Sequence, residues 1–370
     1  MTHLWTTLPR PLIGLSPMDG MTDHPYRHIH KRHGNPDLIF TEFVRVERLI
    51  AGETKLLREL LFDESQRPLV AQVYGTAPEA FRRVAVLLCR LGFDGIDINM
   101  GCPSSSVTDN GAGGGLICTP QLAAAIIAAT RTGVGDWLNG ATAWDVPDLS
   151  PPLAELVEQS HARLPLPSQQ PRPVPVSVKT RIGYDRPQVD EWIPHLLDCA
   201  PAAISLHGRT LVQAYSGYAD WSAIGRAVEI ASGSETLILG NGDVANRADG
   251  LARAAEFGVD GVLIGRASYG NPSVFCAADC VKEDESTLVA ERYRRLAIAR
   301  EHTILYEETL SAWPGYSFKR MHKHLGRYVR GIPGARGLRR TLLETACAAE
   351  AVQALDGYLS HRAHKTGEAG

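Results

Sequence analysis

Cysteine is present in this chain but never in a ligand pattern. The seven cysteines stand at 89, 102, 118, 199, 276, 280 and 347, odd in number and with no CxxC pair. That excludes a disulfide framework and a zinc or iron–sulfur site of ordinary spacing, so no metal is expected. Cys276 and Cys280, four apart, read as one face of a helix. No apolar run approaches the roughly 18 residues of a membrane span, and residues 1–7 show no basic segment leading into an apolar core. A soluble protein of a reducing cytoplasm is expected, away from membranes and as a monomer. No GxGxxG follows the first apolar run, which speaks against a doubly wound dinucleotide-binding sheet. No repeat of solenoid length occurs. Acid, too, is missing over one long stretch, between Lys319 and Arg340.

What that stretch does hold is eight basic residues: Lys319, Arg320, Lys323, Arg327, Arg330, Arg336, Arg339 and Arg340. The chain as a whole carries a net charge of −3, so setting these eight aside leaves −11. The molecule therefore reads as an acidic body with one basic surface. Tyr316, Phe318 and Tyr328 are interleaved, a composition suited to a phosphate backbone with sugars and bases nearby.

At 370 residues, with 44% hydrophobic and 21% charged content, the chain suffices for one large barrel and a smaller domain. Eight apolar runs followed by turn residues and helical stretches read as strands: 12–15, 38–43, 69–74, 95–99, 174–179, 203–207, 237–241 and 261–264. Most are continuous rather than alternating, as parallel strands covered on both faces should be. Helical patterns lie between them. Pro78 opens one with Phe81, Val84, Ala85, Leu88 and Leu91 on a stripe, and Asn246 caps another that Gly258 closes. Eight strand–helix units over some 265 residues are the arithmetic of an α/β fold of TIM (β/α)8 type. Residues 1–284 are assigned to the barrel. A proline-rich insertion at 133–173, with a short helical piece at 153–159, is expected to be ordered in part at most. Residues 285–360, helical and rich in Ala, Leu and Arg, form a small C-terminal domain carrying the basic surface. Residues 361–370 read as a disordered tail.

A barrel enzyme gathers its active groups at the C-terminal ends of the strands, and polar residues close each run here. They are Ser16, Pro17 and Met18; Glu42 and Arg45; Gln72; Asn99 and Cys102; Lys179 and Arg181; His207 and Arg209; Asn241, Gly242 and Asp243; Gly265 and Arg266. Cys102 lies just past a buried strand, beside Pro103 and before the glycine-rich segment Asn110 to Gly115. The last two sets together read as a phosphate grip, in which glycine lets backbone amides approach and an arginine adds charge. Lys179, leaving a strand among apolar neighbours, needs an anion or an electron-rich acceptor such as a flavin ring. Gln72 offers a donor and an acceptor to such a ring, and His207 a contact to ring or phosphate.

The segments 16–27, 97–103, 110–113, 176–181, 207–210, 240–243 and 264–266 together resemble the tRNA-dihydrouridine synthases, and the likeness runs from about residue 11 to 340. The resemblance implies an FMN-bearing barrel, a helical domain that grips tRNA, and NADPH as reductant. By position, Cys102 corresponds to the proton donor. Ser16, Pro17, Met18, Gln72, Lys179, His207, Asn241, Gly242, Asp243, Gly265 and Arg266 correspond to cofactor contacts. Asn99, Arg45, Lys319, Arg320, Lys323, Arg327 and Arg330 are assigned to substrate and tRNA. Glu42 to Arg45 with Gly113 to Gly115 resembles the bacterial C-type enzymes, which modify position 16 of the D-loop. Asp109 departs from the family, many of whose members carry lysine there. Two other functions stay open at this stage: an FMN barrel reducing a free pyrimidine or other small enone, and a tRNA-binding chaperone with an inactive barrel.

Overall fold

The computed structural model describes residues 4–277, 285–332 and 334–367. Eight parallel strands close on themselves in sequence order: β1 Leu12–Leu15, β2 Leu38–Arg45, β3 Leu69–Tyr74, β4 Gly95–Met100, β5 Val176–Arg181, β6 Ala203–His207, β7 Leu237–Asn241 and β8 Gly261–Ile264. Closure pairs Leu12 with Gly261 and Leu15 with Ile264. The eight expected strands are the eight observed, with β5 displaced by two residues.

Strand alternation explains both the core and the site. One set of side chains on each strand, among them Ile13, Ile39, Ile96, Ile98, Val178, Ile204, Ile238 and Val262, packs outward under the helices. The other set points into the barrel. Its lower members are apolar: Leu12, Leu38, Phe40, Val70, Ala203, Leu237, Leu239 and Leu263 fill the cylinder, and Trp5 plugs the base. Two or four residues further along the same inward rows stand Gln72, Asp97, Asn99, Ser177, Lys179, His207 and Asn241. The runs look continuous in sequence because only their last inward positions are polar.

The covering helices are α1 His24–Gly34, α2 Pro78–Arg90, α3 Pro120–Leu138, α4 Pro151–Ala162, α5 Val189–Asp198, α6 Trp221–Ile230 and α7 Arg247–Phe257. The Asn246 side chain accepts from the Asp249 N–H at the start of α7, and Gly258 ends it in the left-handed region. The proline-rich stretch is a correction to the sequence reading, because it is largely helical and packed. It holds the end of α3, whose Trp137 is buried, and all of α4, which buries Leu153, Ala154 and Val157. Arg90 of α2 pairs with Glu158, Nε to Oε1 at 2.9 Å, and the Arg90 carbonyl meets His161 Nδ1 at 2.7 Å. Prolines 151 and 152 stand in the first turn of α4, where a missing N–H costs nothing. A proline count alone does not reveal that placement.

Four helices make the C-terminal lobe: α8 Glu285–Leu310, α9 His322–Tyr328, α10 Arg336–Glu344 and α11 Ala348–Gly367. Their core joins Leu296, Ala299, Tyr306, Leu325, Tyr328, Leu342, Ala351 and Leu355 to Ile29 of α1. α11 is assigned to Gly367, and 368–370 of the expected tail lie outside the described residues. Cys280 and the expected domain boundary at 284 lie outside them as well. Among the described residues no helix is long and apolar enough to cross a membrane, and no group of three or more His, Cys, Asp or Glu side chains is placed to hold a metal.

Candidate active site at the barrel mouth

A hydrogen-bonded row runs across the inward positions of β3, β4 and β5. Ser177 Oγ donates to Asp97 Oδ1 at 2.7 Å, and Gln72 Nε2 donates to Asp97 Oδ2 at 2.7 Å. Asn99 Nδ2 donates to Gln72 Oε1 at 3.1 Å. Asn99 Oδ1 then accepts from the backbone N–H groups of Gly101 (3.1 Å) and Cys102 (2.9 Å). Four side chains thereby set the turn on which the thiol stands, and they also orient the Gln72 amide. Asp97 is fully buried, and desolvation lifts its carboxyl to about 6, opposed by the Gln72 and Ser177 hydrogen bonds.

Cys102 is half-buried. Burial lifts its thiol above the usual range, against the pull of the Ser104 backbone N–H and the charges of Arg181 and Lys179. The sulfur is therefore held as a thiol at neutral pH. A second brace comes from Arg181, only 2% exposed, whose Nε donates to the Gly101 carbonyl at 2.6 Å.

Across the mouth, Lys179 Nζ donates to Asn241 Oδ1 at 3.2 Å, and Asn241 Nδ2 donates to the Leu263 carbonyl at 2.8 Å. Burial, then the Arg181 charge, lower the Lys179 ammonium to about 8. A neutral amide is its one hydrogen-bond partner among the described residues, which leaves the cation free for an anionic or electron-rich ligand. His207 is buried and held neutral by desolvation, reinforced by Lys179, Arg181 and Arg209. Its Nε2 faces Arg209 Nη1 at 3.3 Å. Gly242 adopts φ 125°, and a Cβ there would stand 2.6 Å from Ala219 Cβ and 3.1 Å from His207 Cδ2. The carboxylate of Asp243 receives Arg209 (2.6 and 2.9 Å) and Arg266 (2.9 Å). Those hydrogen bonds, with one from the Ala219 N–H, outweigh burial and keep its pKa below the ordinary value. The Asp243 side chain thus aims two guanidinium groups, leaving the backbone of Gly242 and Gly265 as the close approach to a ligand.

Ser16, Pro17 and Met18 close β1 beside β8. The Ser16 N–H donates to the Ile264 carbonyl at 2.9 Å, and Met18 Sδ stands 3.6 Å from where a Cβ on Gly265 would be. Lys179, Asn241, Gly242, His207, Gly265, Arg266, Ser16, Met18 and Gln72 accordingly stand toward the same end of the closed barrel, with Cys102 and Asn99 at its β4 position. Arg45 stands at the end of β2, with Nε on Glu47 at 3.1 Å. Asp109 is exposed at the end of a short turn in the cysteine loop.

The basic run occupies the outer face of the C-terminal lobe. Lys319, Arg320, Lys323, Arg327, Arg330, Arg336, Arg339 and Arg340 are all exposed, while Leu325, Tyr328, Val329, Leu338 and Leu342 point inward. Lys323 and Arg327 reach the mouth itself. Lys323 Nζ lies beside Gly20 of the β1 loop, and Arg327 sits 5.2 Å from the ring of Tyr269 in the β8 loop. Sequence reasoning had no role for Asp97, for the bracing by Arg181 and Arg209, or for the buried carboxylates Asp23 and Glu42 near Lys323. Burial raises both carboxyls, Asp23 to about 6, and the Lys323 charge opposes that rise. The strand period alone could have exposed Asp97, two residues before Asn99 on the same inward row.

The model of the dihydrouridine synthase family matches residues 14–139 and 154–364. The break between them falls on the segment joining α3 to α4. The probable tRNA-dihydrouridine synthase 2 of Bacillus subtilis (strain 168) is 33% identical over 361 residues, covering 96% of each chain. A probable tRNA-dihydrouridine synthase of Staphylococcus aureus (strain COL) is 33% identical over 369 residues, covering 96% of this chain and 95% of that one. Among solved structures, morphinone reductase aligns at 12% identity and a TM-score of 0.43, over 76% of this chain and 89% of its own. That distant likeness carries no functional weight. An inward-facing cysteine loop, a cationic ring at the barrel mouth and whole-length similarity to these relatives agree: the chain belongs to the dihydrouridine synthase family.

Proposed function

We propose that this protein reduces specific uridines of the tRNA D-loop to 5,6-dihydrouridine, using FMN at the barrel mouth and NADPH as the source of electrons. The observation that carries the reading is a half-buried cysteine whose turn is set by a four-residue hydrogen-bond row, next to a half-buried lysine on the adjoining strand and on the same barrel rim as a glycine-lined cationic cradle. The donor set at that rim suits a flavin mononucleotide. Gly242, Gly265, Arg266 and His207 suit its phosphate, Lys179 the electron-rich edge of the ring, Gln72 a second edge, and Ser16 to Met18 the near wall.

Bound FMN, reduced by NADPH, supplies the hydride that adds to C6 of the uracil ring. The electron pair displaced from C5=C6 is conjugated to the C4 carbonyl, so C5 then needs a proton. Cys102 gives it, the S–H bond breaking as C5–H forms, and the thiolate regains its proton from solvent. Burial keeps the sulfur protonated beforehand, and Asn99 and Arg181 fix its position. A uridine inside folded tRNA reaches this opening only when flipped out of its stack. The basic face of the C-terminal lobe, with Lys319, Arg320, Lys323, Arg327 and Arg330, holds the RNA backbone beside it, and Arg45 adds a cation at the β2 rim. Glu42 to Arg45 and Gly113 to Gly115 favour position 16 as the target, while Asp109 argues against a phosphate contact from the cysteine loop. A cytoplasmic monomer accords with this role. Mass-spectrometric mapping of dihydrouridine in tRNA from a strain lacking the protein tests the proposal. The modification should vanish at one D-loop position and return with the wild-type chain but not with Cys102→Ala. An unchanged tRNA would refute it.

A further inference from the structure

The loop 210–220 after β6 carries three of the most exposed apolar side chains of the described molecule. Tyr218 is 90% exposed, Val212 66% and Tyr215 60%. Exposure of this kind in one segment ordinarily accompanies a slack surface loop or a docking surface. This loop is braced. Arg181 Nη1 donates to the carbonyls of Thr210 (2.9 Å) and Ala214 (3.0 Å), and Arg209 donates to those of Ser216 (3.2 Å) and Gly217 (2.6 Å). Both guanidinium groups are 2% exposed. Burying two arginine side chains is costly, and here four of their hydrogen bonds hold one loop's backbone.

The loop is also coupled to the reaction site. Arg181 binds the Gly101 carbonyl as well, next to Cys102. Leu211 packs so closely on the cysteine loop that a Cβ on Gly114 would lie 2.1 Å from its Cδ1. On the opposite flank Arg266 sits 5.5 Å from the Tyr215 ring. The braced loop therefore flanks the barrel end, tied to the cysteine turn through Arg181 and to the cationic cradle through Arg209 and Tyr215.

We propose that Val212, Tyr215 and Tyr218 form a stacking ledge for an unpaired nucleobase of the tRNA next to the flipped uridine. Aromatic rings beside guanidinium groups suit a base attached to a phosphate chain, since rings take the base faces and cations the backbone. Flipping one uridine leaves its neighbours without a stacking partner, and a pre-formed ledge supplies one. This inference rests on the enzymatic reading above.

The test uses the flavin-loaded full-length protein and unmodified tRNA. Tyr218→Ala should raise the Kd for tRNA roughly 5- to 150-fold, the usual loss for one base–aromatic stack. The slope of log Kd against log salt should stay the same, because no phosphate contact is removed. Tyr218→Phe should bind as wild type does. Reduction of the flavin by NADPH without tRNA should be unaffected in both variants. Wild-type affinity in Tyr218→Ala would overturn the ledge. So would slower flavin reduction in that variant, which would give the ring to the reductant's adenine, or wild-type self-association abolished by the substitution. If the wild-type protein neither binds nor modifies tRNA, the enzymatic reading itself falls. If it does both while Tyr218→Ala binds normally, only the ledge falls.

Discussion

Cys102, just past β4, and Lys179, on the adjoining β5, have ionisation states displaced toward neutrality, and each displacement has a measurable consequence. The buried thiol has a raised pKa, so at pH 8 Cys102 should react with iodoacetamide more slowly than a free cysteine and catch up as pH rises. A rate at or above that of free cysteine would contradict its protonated state. Cys102→Ala should retain flavin while dihydrouridine formation falls by roughly 10²-fold or more, as loss of a general acid does. Single-turnover assays with pre-reduced enzyme would isolate that step. The lysine shift has the opposite sense. Its cation is fully present below about 8 and is lost above it, far earlier than for an ordinary lysine. Flavin reduction should therefore show an inflection near pH 8 that Lys179→Ala lacks, and an inflection surviving in the variant would assign it elsewhere.

At the level of strands and helices, much was legible and the exceptions are instructive. The barrel strands could be read because a polar residue closes each apolar run, and that same feature marked Asn99, Cys102, Lys179 and Asn241. The role of Asp97 was hidden inside an apolar run, since one inward carboxylate does not disturb the average character of its strand. The bracing of loop 210–220 was equally invisible, because its donors lie on β5 and just after β6 while their acceptors are carbonyls, which have no sequence signature. α4 was legible only as a short piece at 153–159, because the prolines around it resemble those of a linker. That helix is tied to α2 by Glu158, whose carboxylate also accepts from the Ala143 N–H at 2.7 Å. Glu158→Ala leaves a partly buried guanidinium and an N–H without their acceptor, at a cost of about 2–4 kcal/mol. Thermal unfolding should show a lowered Tm of several degrees with flavin content unchanged. A silent substitution would make α4 an ornament.

For the molecule as a whole, the two lobes meet through neutral histidines. Tyr26 stacks on His30 at 3.9 Å, and the rings of His302 and His324 lie 6.0 and 5.4 Å from Tyr26. Desolvation lowers His30 to about 4 and His302 to about 3, and His324 well below its ordinary value. These rings titrate near 6.5 when unfolded, so below that pH the unfolded chain binds more protons and stability falls as pH drops toward 4. The Lys323 charge opposes protonation of His302 and His324 further, and the hydrogen bonds of the three rings run to carbonyls and to the Tyr328 hydroxyl, not to a carboxylate. Unfolding measured between pH 7 and 4.5 should slope downward, and less so in His302→Gln. Equal slopes would clear the histidines. On the outer face, Arg327→Ala and Arg330→Ala should each weaken tRNA binding and flatten its salt dependence by about one unit, as loss of one phosphate contact does.

Helix α1 belongs to both cores at once, with Tyr26 turned to the barrel cluster and Ile29 to the C-terminal one. Chimeras that exchange the C-terminal lobe between relatives would thus inherit a mismatched seam unless this segment travels with it. Target choice in such hybrids should follow residues far upstream of the transplanted portion.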